Sequence, residues 1–268
     1  MASLDVIPYY IFDQSKTLVI YFFIGRLNPP HIGHEGALRE LIRLAVEEHS
    51  IPLILLGSGP NKGEKTLDDP LTFLTKKKVL QYRLAGQLCE IREKTNPITD
   101  VMDWTKEVIR NMSVQPTEVI YKLVVGNKND NATKLDWVHK TLVKETEKLG
   151  LKSSSLTIPI DAIELEGIKM SATKVRQDAL KHTEEEFMQI YGEFYGPHTV
   201  NVHGEITDIA KEVGDHVVAH YIDTGEIYKP PKGSKKKKGN ASNKGASEPT
   251  GNAKPKPKRS TKKKTPSP

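Results

Sequence analysis

The sequence predicts an α/β fold, a parallel sheet covered by helices on both faces, and three observations carry that prediction. Residues 18–24 form a continuous apolar run of strand length, as a strand buried on both faces requires, and 52–57 and 119–125, the latter broken by Lys122, also read as strands. Gly25, Gly57 and Gly126 close these runs. Segments with apolar residues at helical spacing separate them, and strands that alternate with helices imply parallel pairing.

The elements follow in order. Leu18-Val19-Ile20-Tyr21-Phe22-Phe23-Ile24 predicts the first strand. Leu38, Leu41, Ile42, Ala45 and Val46 predict a helix over 34–49. A second strand at 52–57 leads to a helix over 71–88 and a short third strand at 88–92. A helix over 101–112, a strand over 119–125, a helix over 135–149 and a strand over 156–160 come next. Ser171 opens a helix that runs to about residue 182. Right-handed crossovers place a ligand crevice at the carboxyl ends of the strands, where segments 25–34, 57–70, 126–134 and 164–173 should meet. Residues 183–228, with Tyr191, Phe194, Tyr195 and Tyr221, should pack on this Rossmann-like sheet as an extension. No internal repeat is evident.

Charge divides the chain. The 268 residues carry a net charge of +6, but residues 229–268 hold 14 Lys/Arg against the single acid Glu248. That tail is +13 and residues 1–228 are −7, so the basic character belongs to the tail. Rich in Lys, Pro, Ser, Gly and Asn, the tail cannot bury enough apolar surface to offset chain entropy and is expected to be disordered. Its runs at 235–238 and 254–264 would attract nucleic acid without sequence preference and look like nuclear import signals. Residues 1–228 form one domain, with a core at about 17–196 and an extension at 197–228. No apolar run approaches the ~20 residues of a membrane helix. The N-terminus lacks a signal-peptide layout, and the lone Cys89 suits a reducing compartment. The expected location is intracellular, cytoplasmic or nuclear, with no membrane partner.

Chemistry concentrates in two motifs. Gly25-Arg26-Leu27-Asn28-Pro29-Pro30-His31-Ile32-Gly33-His34 leaves the first strand and enters a helix. Prolines stiffen it, Gly33 permits close backbone approach, and the helix N-terminus with two imidazoles can grip phosphate. A lone histidine there would be read as a cap or surface residue; the whole pattern is not. In Gly167-Ile168-Lys169-Met170-Ser171-Ala172-Thr173-Lys174-Val175-Arg176, the hydroxyls of Ser171 and Thr173 can cap a helix while facing an anion, and Arg176 can fork onto phosphate. Taken alone, this second motif also describes an ordinary capped amphipathic helix.

Together the motifs resemble the HIGH-motif nucleotidyltransferases, the superfamily of mononucleotide adenylyltransferases and small cytidylyltransferases. The Gly-Arg-x-x-Pro-Pro-His form is most similar to archaeal-type nicotinamide-mononucleotide adenylyltransferases and their viral and phage relatives. The resemblance implies transfer of a nucleoside monophosphate from ATP or CTP to a small phosphorylated acceptor such as nicotinamide mononucleotide, with release of pyrophosphate. It implies His31 and His34 on the triphosphate, Arg26 and Arg176 on the outer phosphates with Ser171 and Thr173 assisting, and Gly25, Gly33 and Gly126 along the nucleotide. Mg²⁺ should bridge the phosphates through mostly water ligands, with no protein metal ligand. Asp69-Pro70-Leu71-Thr72 resembles a family segment that shapes the acceptor pocket. Val125-Gly126-Asn127-Lys128-Asn129-Asp130 sits where the family has Val-Gly-x-Asp, although Asp130 is displaced from that pattern.

Asn28, Lys62, Lys65 and Trp104 are further candidate substrate contacts. Lys62 and Lys65 lie in a loop that mimics a P-loop with the wrong spacing. Trp104 and Trp137 can stack a ring, although a core position is the commoner use of tryptophan. Glu184-Glu185-Glu186 reads as a solvated helix face, and no Cys/His cluster suggests zinc. Lys169-Met170-Ser171 also looks partly like the second signature of class I aminoacyl-tRNA synthetases, but only about 135 residues separate the motifs and no tRNA-binding domain follows. A cytidylyltransferase acting on a polyol phosphate and a nucleic-acid-binding protein with an idle domain are the other readings. Oligomeric state is not legible.

Overall fold

The computed structural model describes residues 8–14, 16–57, 66–126, 135–160, 164–165, 168–196 and 201–213. These lie within one compact unit, Met1–Pro230; a second unit, Pro231–Pro268, falls outside the described residues. Lys62, Lys65, Asp130 and the basic tail also lie outside them.

Strand β1 (Thr17–Gly25) occupies the centre of a five-stranded sheet. Its neighbours are β2 (Leu53–Leu56), then β3 (Glu90–Glu93), on one side, and β4 (Glu118–Gly126), then β5 (Lys152–Ile160), on the other. All four pairings are parallel, so the fold is Rossmann-like α/β. Register aligns Gly25 with Leu56 and Gly126 with Ile160, which brings the carboxyl ends of these strands to one rim.

The continuous apolar runs exist because each strand alternates between two cores. Leu18, Ile20 and Phe22 of β1, with Leu53 and Leu55 of β2, face α3 (Pro97–Asn111) and α4 (Asp136–Glu147). Tyr21, Phe23, Ile54 and Leu56 face α1 (Ile32–Glu47) and α2 (Phe73–Arg83). A one-residue slip in any of these strands would exchange the two sets.

Several boundaries differ from the periodicity, each for a local reason. Helix α2 stops at Arg83 rather than residue 88, and Gly86 turns the chain at φ 80°, a conformation that favours glycine. Helix α3 starts four residues before the apolar pattern does. Asn96 accepts from the Ile98 and Thr99 N–H groups, and Pro97 fits the first turn, which needs no donor. Strand β5 begins at Lys152, because Ser153–Ser155 satisfy the ladder with backbone groups at a sheet edge that asks little of side chains. A two-residue hairpin, β6 (Glu164–Leu165) with β7 (Ile168–Lys169), was not expected.

The described part of the C-terminal extension, which ends at residue 213 and so leaves Tyr221 outside it, corrects a further expectation, since it packs in a core apart from the sheet. Helices α5 (Ala172–Lys181), α6 (Glu184–Tyr195) and α7 (Asn201–Val213) form a third core with α2. Val175, Ala179, Phe187, Tyr191, Tyr195 and Ile206 meet Leu71 and Val79 there. The acidic triplet opens α6, where Glu186 and Thr183 form a reciprocal capping box. Among the described residues no helix is long and apolar enough to cross a membrane.

Candidate active site

The segment between β1 and α1 crosses the carboxyl rim of the sheet. Gly25 sits against the Phe23 ring, where an added Cβ would come within 2.5 Å of Cε1. Leu27 holds φ 45°, a left-handed backbone that a leucine adopts only when its surroundings impose it, and the Asn28–Pro29 peptide is cis. The Leu27 side chain is buried in the second core, which fixes it there.

Pro29 and Pro30 have no N–H, so this stretch cannot tie itself down with its own donors. Side chains from elsewhere do so. Lys76 Nζ of α2 donates to the Arg26 carbonyl at 3.1 Å. Arg176 Nη1 of α5 donates to the Asn28 carbonyl at 2.6 Å. The Tyr195 hydroxyl of α6 donates to the Pro30 carbonyl at 2.7 Å.

His31 is the N-cap residue of α1, with extended backbone and no capping bond from its side chain. Its carbonyl accepts from the N–H groups of His34 and Glu35. The His31 and His34 rings stack with centroids 3.6 Å apart and planes inclined by 29°. His31 is buried and His34 half-buried; Gly33 lies between them in the first helical turn. Glu35, which follows His34 in the first turn, accepts from Arg39 and Arg83, each at 2.8 Å, so its carboxylate is already occupied.

The second motif starts α5. Ser171 is its N-cap and accepts from the Lys174 N–H at 3.1 Å. Thr173 Oγ1 accepts from Arg176 Nη2 at 3.4 Å, and Asp68 Oδ1 lies 3.6 Å from the same nitrogen. Arg176 is 7% exposed, and its Nη1 is committed to the loop that carries the histidines. Both motifs therefore converge on one strand exit. The first residues of α1 and α5 also line one cavity of about 460 Å³, among them His31, Ile32, Met170 and Lys174. Lys174 and Asp178 are about 200° and 160° around the helix from Arg176, so this cavity lies on the opposite flank of α5.

Two candidate contacts are corrected. Asn28 is 2% exposed, and its amide makes a two-way clamp on Leu71. It donates to the Leu71 carbonyl at 3.1 Å and accepts from the Leu71 N–H at 3.0 Å. Its side chain is a structural brace rather than a substrate contact. Trp104 is 0% exposed within the first core, under the Arg92 guanidinium 4.9 Å from its ring, and cannot stack a ligand. Trp137 inverts the core reading, since it is 52% exposed on α4.

The remaining candidates are placed more simply. The Arg26 side chain is exposed at the rim. Gly126 ends β4 beside open space, so crowding among the described residues does not demand glycine there.

Lys76, Asp68 and Tyr195 were missed as site residues, and Asp69 was read only as part of the segment that shapes the acceptor pocket. Lys76 hides in a Lys76-Lys77-Lys78 run that reads as solvated, yet it is 0% exposed. Its ammonium also donates to the Gly57 carbonyl and pairs with Asp69 at 3.7 Å. Burial pushes the Asp69 carboxyl above the usual carboxylate range, against the pull of Lys76 and Arg26, and pushes Lys76 below the usual lysine range. Tyr195 belongs to the extension that lacked a legible pattern.

No protein-family model matches the chain, and no curated protein matches it in sequence. Among the described residues no group of three or more His, Cys, Asp or Glu side chains is disposed to hold a metal ion.

Proposed function

We propose that this protein is a nucleotidyltransferase that passes a nucleoside monophosphate from ATP or CTP to a small phosphorylated acceptor. The observation that carries this reading is the stacked His31–His34 pair at the N-terminus of α1, with the α5 N-terminus placed beside it. Two helix N-termini add their positive dipole ends to two imidazoles, and such an assembly is suited to a polyanion.

The chemistry asks little more of the protein. An acceptor phosphate is ionised near neutral pH, so its oxygen can attack the α-phosphorus without a general base. A new P–O bond forms as the bond from the α-phosphorus to the bridging oxygen breaks, and pyrophosphate leaves with that electron pair. Positioning and charge stabilisation supply the acceleration. His31 and His34 act on the triphosphate where that charge builds. Arg26 and Arg176 serve the outer phosphates, with Arg176 Nη2 exchanging Asp68 for a phosphate oxygen. The cavity beside His31 is of a size that takes a nucleoside. Mg²⁺ would arrive as part of the nucleotide substrate, held through mostly water ligands.

The test is a thermal-shift panel of ATP, CTP and phosphorylated acceptors with Mg²⁺, followed by pyrophosphate release. One triphosphate should raise the melting temperature by several degrees at about 100-fold excess over Kd. Pyrophosphate should appear only when the acceptor is added. No shift and no release with any pair would overturn the reading.

A further inference from the structure

We propose that Lys76 and Tyr195 are positioning residues which, with Arg176, hold the loop at residues 25–31 by alternate carbonyl oxygens and so set where the His31–His34 pair meets its anion. This rests on the functional reading above.

The carbonyls of Arg26, Asn28 and Pro30 are each bound by a donor from a different helix, α2, α5 and α6 respectively. Between them the Asn28 amide clamps Leu71, which precedes α2. The segment is thus registered against three helices at two-residue intervals, immediately before His31.

Lys76 does more than fill space. A buried ammonium is costly, and an apolar residue of similar volume is often at least as stabilising. Its ammonium donates to the Arg26 and Gly57 carbonyls, which joins the exits of β1 and β2, and pairs with Asp69 at 3.7 Å. The Gly57 N–H also donates to the Gly25 carbonyl at 3.0 Å, so the two exits are joined a second time at the first residue of the loop. Tyr195 is 1% exposed; its ring packs in the third core while its hydroxyl leaves that core for the Pro30 carbonyl. Both side chains spend buried polar groups on the backbone of one loop, and that loop ends in the stacked imidazoles.

The test uses the full chain with Tyr195→Phe, which removes only the hydroxyl, and Lys76→Met. Tyr121→Phe is the control. It deletes a buried hydroxyl whose 2.7 Å bond to Thr146 lies in the first core, away from the loop. Pyrophosphate release is measured well below each melting temperature. Tyr195→Phe and Lys76→Met should each lower kcat about 10-fold or more with KM changed less than about threefold, because displacement of a few tenths of an ångström harms the transition state first. Tyr121→Phe should leave kcat unchanged even where it lowers the melting temperature. If Lys76→Met fails to fold, Tyr195→Phe carries the test. Values of kcat for Tyr195→Phe equal to those of Tyr121→Phe would overturn the proposal.

Absence of pyrophosphate release by the wild type would overturn the functional reading instead. The proposal is then decided by NMR of the His31 and His34 ring protons titrated with tripolyphosphate. Shifts altered in Tyr195→Phe and preserved in Tyr121→Phe support it. Identical shifts in both variants, or no response in the wild type, refute it.

Discussion

Replacing Asn28 with alanine separates two roles that a sequence motif cannot distinguish. In the structure the amide makes two hydrogen bonds to one residue, 3.1 Å to the Leu71 carbonyl and 3.0 Å from the Leu71 N–H, both buried. Alanine leaves a buried donor and a buried acceptor without their partners. Each orphaned group costs about 1–3 kcal/mol, so the pair should cost about 2–5 kcal/mol after some relaxation. That is a large share of the roughly 5–15 kcal/mol that holds a domain folded. Urea unfolding should show the midpoint falling with an unchanged slope, and the melting temperature should drop by about 2–4 °C per kcal/mol. Asn28→Asp should cost as much, because the carboxylate keeps an acceptor but faces the Leu71 carbonyl without a donor. A substrate contact would behave oppositely, raising KM with stability intact. A loss below about 0.5 kcal/mol in Asn28→Ala would refute the brace.

Three further outcomes are expected. His34→Ala should lower turnover by about 10²–10³ with the circular dichroism spectrum and melting temperature preserved, and wild-type turnover would remove His34 from the chemistry. Trp104→Ala should cost about 3–5 kcal/mol of stability. Trp104→Phe should cost less than Trp104→Ala, because it keeps an aromatic ring in the core and removes an indole N–H that is buried without a hydrogen-bond partner among the described residues; equal losses in a denaturant titration would contradict that account. His139 lies between Ser155 Oγ at 2.6 Å and Thr157 Oγ1 at 2.8 Å, and burial holds its pKa below the ordinary histidine value. The unfolded chain therefore binds the proton more readily, so this contribution to stability is complete above about pH 6.5 and is lost as pH falls through the depressed pKa. Wild type should lose more stability than His139→Gln between pH 7 and pH 5, and parallel curves would exclude the effect.

The sheet was legible because its signal is redundant. Residues such as Ile20 and Tyr21 must be apolar on both faces, and that doubles the evidence per strand. Position along the chain likewise placed the His31–His34 turn at a strand exit. The edge serines of β5 were not legible, since backbone pairing leaves no mark on side-chain type. Lys76 was hidden for a related reason. Burial of a lysine depends on where a carboxylate from another segment ends up, and its neighbours Lys77 and Lys78 obey the solvated pattern. Asn28 and Trp104 show the converse limit: a residue inside or near a motif has the right chemistry for a ligand, and only its partners reveal whether that chemistry is already spent. The extension beyond residue 183 resisted reading because its apolar residues answer to α2 and α5, not to the sheet.

The third core has a consequence for when the molecule becomes competent. The ribosome releases the β1 exit and both imidazoles early, but the hydroxyl that secures Pro30 is residue 195, and the helices that bury it extend to residue 213. A nascent chain stopped at β5 holds all five strands and yet presents the loop with its α2 tether alone, lacking those from α5 and α6. Anchoring of the loop is thereby completed only with the last of the described helices, and a truncation that spares the sheet but removes residues 172–213 would leave it incomplete.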